Sequence, residues 1–329
     1  MAEEQLNKAA LKELTRKIVV TQGNGFIKEL LRDAGGKIGT TKDDFVANLD
    51  AAIDDELITQ AVFEGWLKEI EGWGNQHLYV VAPPDIEPAK LAEGFEKSEH
   101  VALLDAAATI DFPNALTLKN INLNGGLSIA WHQGKEGWRR HSDKDKTETE
   151  GLEFYRFDAY RQRLDRSVVR YEWRFGDPYA AILIHRNPAI DHAIVRNDVR
   201  TVLSEIGCPD KPIASLELSR AVKKAAKSMN GAHSTRFDTE GGFVQMASTL
   251  ADGGIEAVEA VRVVLHAVDV EKFERAQGLF HFLTEEHGVS RKLAVQIFGD
   301  DGRLRILAQC KRDDVLQILR TIWEHNSAT

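Results

Sequence analysis

The chain has 329 residues, 43% hydrophobic and 28% charged, with 25 glycines, 8 prolines and 2 cysteines. That length predicts two domains with a core that needs no disulfide staples, and the composition excludes wholesale disorder and collagen-like repeats. The formal charge of −9 opposes indiscriminate attraction to nucleic acid, but it is uneven: −7 over residues 1–97, balanced over 98–190, and −2 over 191–329. A basic surface beyond the first third is therefore compatible with the total, because fields act over a Debye length of ~8–10 Å. No run approaches the ~18 apolar residues of a membrane span. The first residues, MAEEQLNKAALKEL, lack a signal-peptide apolar core. The expectation is a soluble intracellular protein, of cytoplasm, nucleus or nucleoid, with no membrane partner.

Leu6, Ala10, Leu14 and Ile18 recur at steps of four and predict a helix. Phe26, Ile27, Leu30 and Leu31 mark a second, ended by Gly35-Gly36. Thr40 or Thr41 is placed to cap a third, which carries Phe45, Leu49 and Ile53. A fourth presents Val62, Phe63, Trp66, Leu67 and Ile70. A short strand over 78–82 runs into Pro83-Pro84, which reads as a boundary because proline cannot donate to a ladder and restricts the residue before it. The domain reading is a helical adaptor module over 1–84, then a mixed domain over 85–329 divisible near 208–214.

Beyond residue 117 the period falls to two. Leu127, Ile129 and Trp131 predict a strand, and the polar, Gly-punctuated stretch 133–152 reads as an exposed loop. Val169, Tyr171, Trp173 and Phe175 alternate with Arg166, Val168, Arg170, Glu172 and Arg174, which predicts a strand. Residues 153–163 are expected to pair with it through a turn at Leu164-Asp165. The apolar run 180–185 predicts a central strand. Helices are expected over 189–206, 214–229 and within 254–287, a strand pair near 235–248, and a hairpin over 293–308 about a Gly-Asp-Asp-Gly turn. A helix over 311–325 closes the chain. Strands and helices without regular βαβ alternation predict an α+β fold with a mainly antiparallel sheet flanked by helices.

No catalytic signature stands out. The 11 histidines include no i, i+4 pair, and Cys208 and Cys310 lie about a hundred residues apart, so no metal or cofactor site is expected. Gly35-Gly36-Lys37-Ile38-Gly39-Thr40-Thr41 has its lysine too early for a phosphate-binding loop. Pro84-Asp85, Glu87 and Lys90 lack the acidic residue that a metal-dependent nuclease core places two before the lysine, because Pro88 stands there. No G-x-S-x-G or G-x-G-x-x-G motif occurs.

Two basic features carry the functional expectation. The first is an arginine-rich hairpin whose expected phosphate contacts are Arg161, Arg163, Arg166, Arg170 and Arg174, with Arg156 ahead of them and Tyr155, Phe157, Tyr160, Tyr171 and Trp173 interleaved. Guanidinium forks fit phosphates and aromatic rings stack on bases, although a solvated face neutralised by Asp158, Asp165 and Glu172 gives the same pattern. The second is Arg220, Lys223, Lys224 and Lys227, spaced i, i+3, i+4 and i+7 on one helix face. Like charges so spaced weaken an isolated helix slightly and suit an anionic partner, or simply solvent.

Leu118-Lys119-Asn120 before Ile129-Ala130-Trp131, and Pro178-Tyr179-Ala180 before Arg186-Asn187-Pro188 opening a helix, form a pattern that resembles the middle domain of the centromere protein N family over about 70 residues. The N-terminal helices are similar to that family's pyrin-like module in number and length. The resemblance implies a non-enzymatic DNA-binding protein with a related protein as partner; the family's DNA contacts do not align with basic residues here, and the acidic first module departs from the pattern.

The expectation is thus a non-enzymatic duplex-DNA binder that grips phosphates through the nine named cations, its helical module docking a protein partner or a second copy. The alternatives are an adaptor subunit without DNA, for example in a prokaryotic defence complex, and a metal-dependent nuclease with an unrecognised site.

Overall fold

The computed structural model describes residues 6–19, 21–106, 111–185, 190–229, 232–239, 242–248, 254–267 and 275–327. The N-terminal helices are α1 (Lys8–Val19), α2 (Asn24–Asp33), α3 (Lys42–Asp54) and α4 (Gln60–Ile70). Strand β1 (Gly74–Val81) and helix α5 (Pro88–Lys97) follow. Next come β2 (Thr117–Asn122), β3 (Gly126–Arg140), β4 (Lys146–Glu150), β5 (Glu153–Phe157), β6 (Tyr160–Arg174) and β7 (Ala180–His185). The remainder is α6 (His192–Glu205), α7 (Ser219–Ser228), β8 (Ser234–Thr239), β9 (Gly242–Ala247), α8 (Glu259–Ala267), β10 (Arg275–Phe282), α9 (Thr284–His287), β11 (Leu293–Phe298), β12 (Arg303–Gln309) and α10 (Arg312–Ser327).

Among the described residues ten strands form one sheet in the order β2-β3-β6-β7-β1-β12-β11-β10-β8-β9, and β4 and β5 form a separate two-stranded ribbon. The registers along β6-β7-β1-β12-β11-β10-β8-β9 are all antiparallel. The fold is therefore α+β with a mainly antiparallel sheet, as the patterning predicts. Among the described residues no helix is long and apolar enough to cross a membrane.

The chain groups into two compact units. One comprises Met1–Trp66, Ala108–Leu118 and Trp131–Ser167; the other comprises Leu67–Ala107, Lys119–Ala130 and Val168–Thr329. The strand before Pro83-Pro84 does not close the helical module: β1 lies inside the sheet, paired with β7 on one side and β12 on the other.

In the first unit, helices form because apolar residues fall on one face. Leu11, Ile18, Ile27, Leu31, Phe45, Leu49, Ile53 and Phe63 are all buried, and burying each such side chain contributes about 1.5–3 kcal/mol before entropy is charged. Thr41 caps α3 as expected: its hydroxyl accepts from the Asp44 amide while Asp44 accepts from the Thr41 N–H, a reciprocal capping box. Trp66 Nε1 donates to the Phe26 carbonyl at 3.2 Å, pinning α4 to α2.

In the second unit, α7 and α10 cover one face of the sheet. Leu218, Val222, Ala225, Ile318 and Ile322 pack with Leu78, Leu183, Phe280, Val295 and Ile306. Strand β7 is buried along Ala180–Ile184, which its continuous apolar run requires of a central strand.

Two sequence expectations fail for identifiable reasons, and a third holds in part. Residues 133–152 are not a loop: β3 extends to Arg140 and β4 follows, with both faces of β4 exposed, so no apolar alternation advertises it. Residues 153–163 do not turn at Leu164-Asp165; β6 runs unbroken from Tyr160 to Arg174, and β5 pairs with β4 instead. The 254–287 stretch holds the expected helices, α8 and α9, and also β10, whose small and polar residues break its alternation.

Candidate functional site

A cleft of about 600 Å³ in the first unit is lined by Arg16, Lys17, Lys42, Arg139, Arg140 and Arg161, with Glu13, Glu136, His141 and Gln162. Six cations therefore face two carboxylates there. Arg16 and Lys17 come from the last turn of α1, where positive charge complements the helix dipole. Lys42 opens α3 and donates its ammonium to the carbonyl of Val19 at 2.9 Å, capping the end of α1. Arg139 and Arg140 end β3, and Arg161 stands near the start of β6.

The cations differ in what they already hold. Arg16 bonds Asp50, which raises its pKa. Lys17 pairs with Glu13 one turn back at 2.7 Å, and that contact lowers the Glu13 pKa. Arg140 is bonded to Asp145 and lies 2.8 Å from Asp158. Arg139 and Arg161 are both exposed, and neither has an ion-pair partner among the described residues. The paired cations build the wall of the cleft, and these two supply guanidinium groups ready for an external anion.

The predicted arginines separate in space. Arg161 lies in this cleft. Arg163 belongs to β6, but its side chain lies outside the described residues. Arg166 is only 8% exposed; it donates to the Asp111 carbonyl at 3.3 Å and stands over the Phe112 ring. Arg170, in the second unit, stacks 4.8 Å from the Trp73 ring centroid. The arginine face expected to be open along β6 is thus covered at Arg166 and Arg170, while Arg161 and Arg174 toward its ends are exposed. Val168 on that face is buried, and Gly72 approaches so closely that a Cβ there would lie 2.6 Å from the Val168 Cβ.

Arg174 is exposed at the rim of a second cavity of about 360 Å³, shared with Arg312, Arg320, Tyr179 and Glu172. At its floor Ser128 Oγ donates to Glu172 Oε1 at 2.7 Å. Burial raises the Glu172 pKa, against the pull of Arg170. The remaining predicted cations, Arg220, Lys223, Lys224 and Lys227, are all exposed along α7, while Ala221, Val222, Ala225 and Ala226 on the same helix are buried.

Sequence reading missed Arg16, Lys17, Lys42, Arg139 and Arg140. They come from separate stretches, and only the fold brings them beside Arg161; the Arg139-Arg140 doublet was the one local signal. Among the described residues, one triad has ligand atoms close enough for a metal, Glu99, His100 and Glu205. His100 Nε2 already contacts Glu205 at 2.6 Å, and an acidic surface cluster of this kind is ordinary. Cys208 and Cys310 are buried and their thiols are pushed up, to about 11 and about 12, chiefly by desolvation, which suits packing rather than nucleophilic attack.

Neither protein-family models nor curated proteins match this chain. The Arg186-Asn187-Pro188 segment that carries part of the family resemblance lies outside the described residues.

Proposed function

We propose that the protein binds the phosphate backbone of nucleic acid, duplex DNA in the first instance, through the basic cleft of its first unit. The observation that carries this reading is the convergence of Arg139 and Arg161, both exposed and without ion-pair partners among the described residues, on a cleft whose other cations are Arg16, Lys17, Lys42 and Arg140. Guanidinium groups recognise phosphate through bidentate, charge-assisted bonds and carry no base information by themselves. Such binding is sequence-tolerant and steeply salt-dependent. The exposed cationic face of α7 is a second, separate backbone contact in this reading.

The test is fluorescence anisotropy of a labelled duplex with the full chain across about 50–200 mM salt. The double variant R139E/R161E is expected to weaken binding tenfold or more on every sequence and to flatten the salt slope, by about 0.9 for each phosphate that is no longer neutralised. K224E on α7 is expected to have the smaller effect. If R139E/R161E binds as tightly as the parent, the cleft is not the site; if K224E alone abolishes binding, α7 is.

A further inference from the structure

We propose that the chain self-associates through the outer edge of β5, two copies joining their ribbons into one four-stranded antiparallel sheet about a twofold axis at Tyr155. Among the described strands the ribbon alone is exposed at every residue. All ten residues of β4 and β5 are exposed, on both faces, and Leu152 at the tip is 98% exposed and Phe154 79% exposed. Tyr155, Phe157 and Tyr160 are exposed as well. A lone two-stranded hairpin is marginal in water, and a free strand edge is a template for another strand.

The choice of occupant follows from charge and register. Glu148, Glu150 and Glu153 surround the tip and oppose a nucleic-acid backbone. On β4, self-pairing about its centre would set Glu148 opposite Glu148, a like-charge pair that destabilises a ladder. Strand β5 is self-complementary: pairing about Tyr155 sets Phe154 opposite Arg156, Glu153 opposite Phe157, and the two tyrosines together.

Backbone geometry agrees with that register. The two-residue Gly151-Leu152 turn, with Gly151 at φ 62, makes Glu150–Glu153 the closing pair. Hydrogen-bonded pairs then alternate, so the peptide groups of Glu153, Tyr155 and Phe157 face β4 and those of Phe154 and Arg156 face outward. Phe154 and Arg156 are therefore the residues that can exchange N–H···O=C bonds with a second β5. At the base, Arg140 bonds Asp145 and Asp158, and Ala159 N–H donates to Asp145 at 3.0 Å, which holds the ribbon ready. An edge of five residues is small beside the roughly 1,200–2,000 Å² of a stable interface, so the dimer is weak and concentration-dependent.

The experiment uses the full chain with Tyr155→Cys. A non-hydrogen-bonded pair on a twofold axis holds its Cα atoms about 4.5 Å apart, within disulfide reach, and Cys208 and Cys310 are buried and contribute no background. Mild oxidation is expected to give a covalent dimer with Tyr155→Cys and none with Glu148→Cys on the other edge. Sedimentation of the parent over about 1–100 μM should show reversible dimerisation. Phe154→Pro should weaken that dimer tenfold or more, since it removes an outward N–H and no bond to β4. A parent that stays monomeric throughout, or cross-linking at Glu148→Cys but not at Tyr155→Cys, would overturn the proposal. Because neither Arg139 nor Arg161 belongs to β4 or β5, sedimentation of R139E/R161E is expected to show the parent's dimerisation, so its effect on nucleic acid is read separately.

Discussion

Arg140 serves both the cleft and the ribbon. Its guanidinium, with the Ala159 amide, holds the Asp145 carboxyl down at about 2. A carboxylate so depressed stabilises the fold fully above its unfolded value near 3.8 and loses that contribution as pH falls toward 2. Asp145→Asn is therefore expected to lower Tm at pH 6 and to converge on the parent near pH 2–3, measured by circular dichroism. His281 titrates in the opposite chemical sense. Burial, the tilted His233 ring 3.8 Å away between centroids and the Lys292 ammonium push it down to about 4. Between about 6.5 and 4 the unfolded chain binds a proton that the folded chain refuses, so stability falls as pH falls through that window. His281→Phe should flatten the Tm profile between pH 6.5 and 4; an unchanged slope there would remove His281 from the pH response. At this scale little of the site was legible. Arg161 was visible as part of a series, but Arg166 and Arg170 share that spacing and are engaged with Asp111, Phe112 and Trp73. Spacing reports a face and does not report what covers it.

Among the elements, those that bury one face with a clean apolar period were legible, and β4, which buries none, was not. The helix α10 and the β11–β12 hairpin lie where their apolar periods place them, because each has one buried side. Strand β4 has no buried side, so its sequence reads as a polar loop, and the equally exposed β5 is read as a strand but given the wrong partner. Strand β1 shows how a turn glycine fixes an element. Gly74 adopts φ +68, and a Cβ there would come within 2.2 Å of the Ala308 carbonyl oxygen and 2.5 Å of the Cys310 amide. The register of β1 against β12 shifts at that point, between Gly74 and Gln76. Gly74→Ala is expected to cost about 1–3 kcal/mol or more, from the left-handed conformation together with the backbone clash, read as a lowered urea midpoint with an unchanged m-value. A midpoint within error of the parent would show that the β1–β12 junction relaxes around a methyl group.

For the whole molecule, the α+β class followed from period changes along the chain, whereas the grouping of residues into units did not. Residues 108–118 and 131–167 group with the N-terminal helices although a prolyl boundary separates them in sequence. Composition marks linkers and is silent about long-range pairing. The position of β1 has a consequence for synthesis. Its partners are β7 and β12, so one of its edges waits for a strand that begins about 220 residues further along the chain. At about 5–20 residues per second that wait lasts on the order of ten seconds or longer, with an apolar strand edge unpaired. Helices α1–α3, whose contacts are local, can form meanwhile. A chain arrested before Arg303 would present that edge indefinitely, which makes stalled or prematurely terminated copies substrates for chaperones and proteases rather than partly active protein.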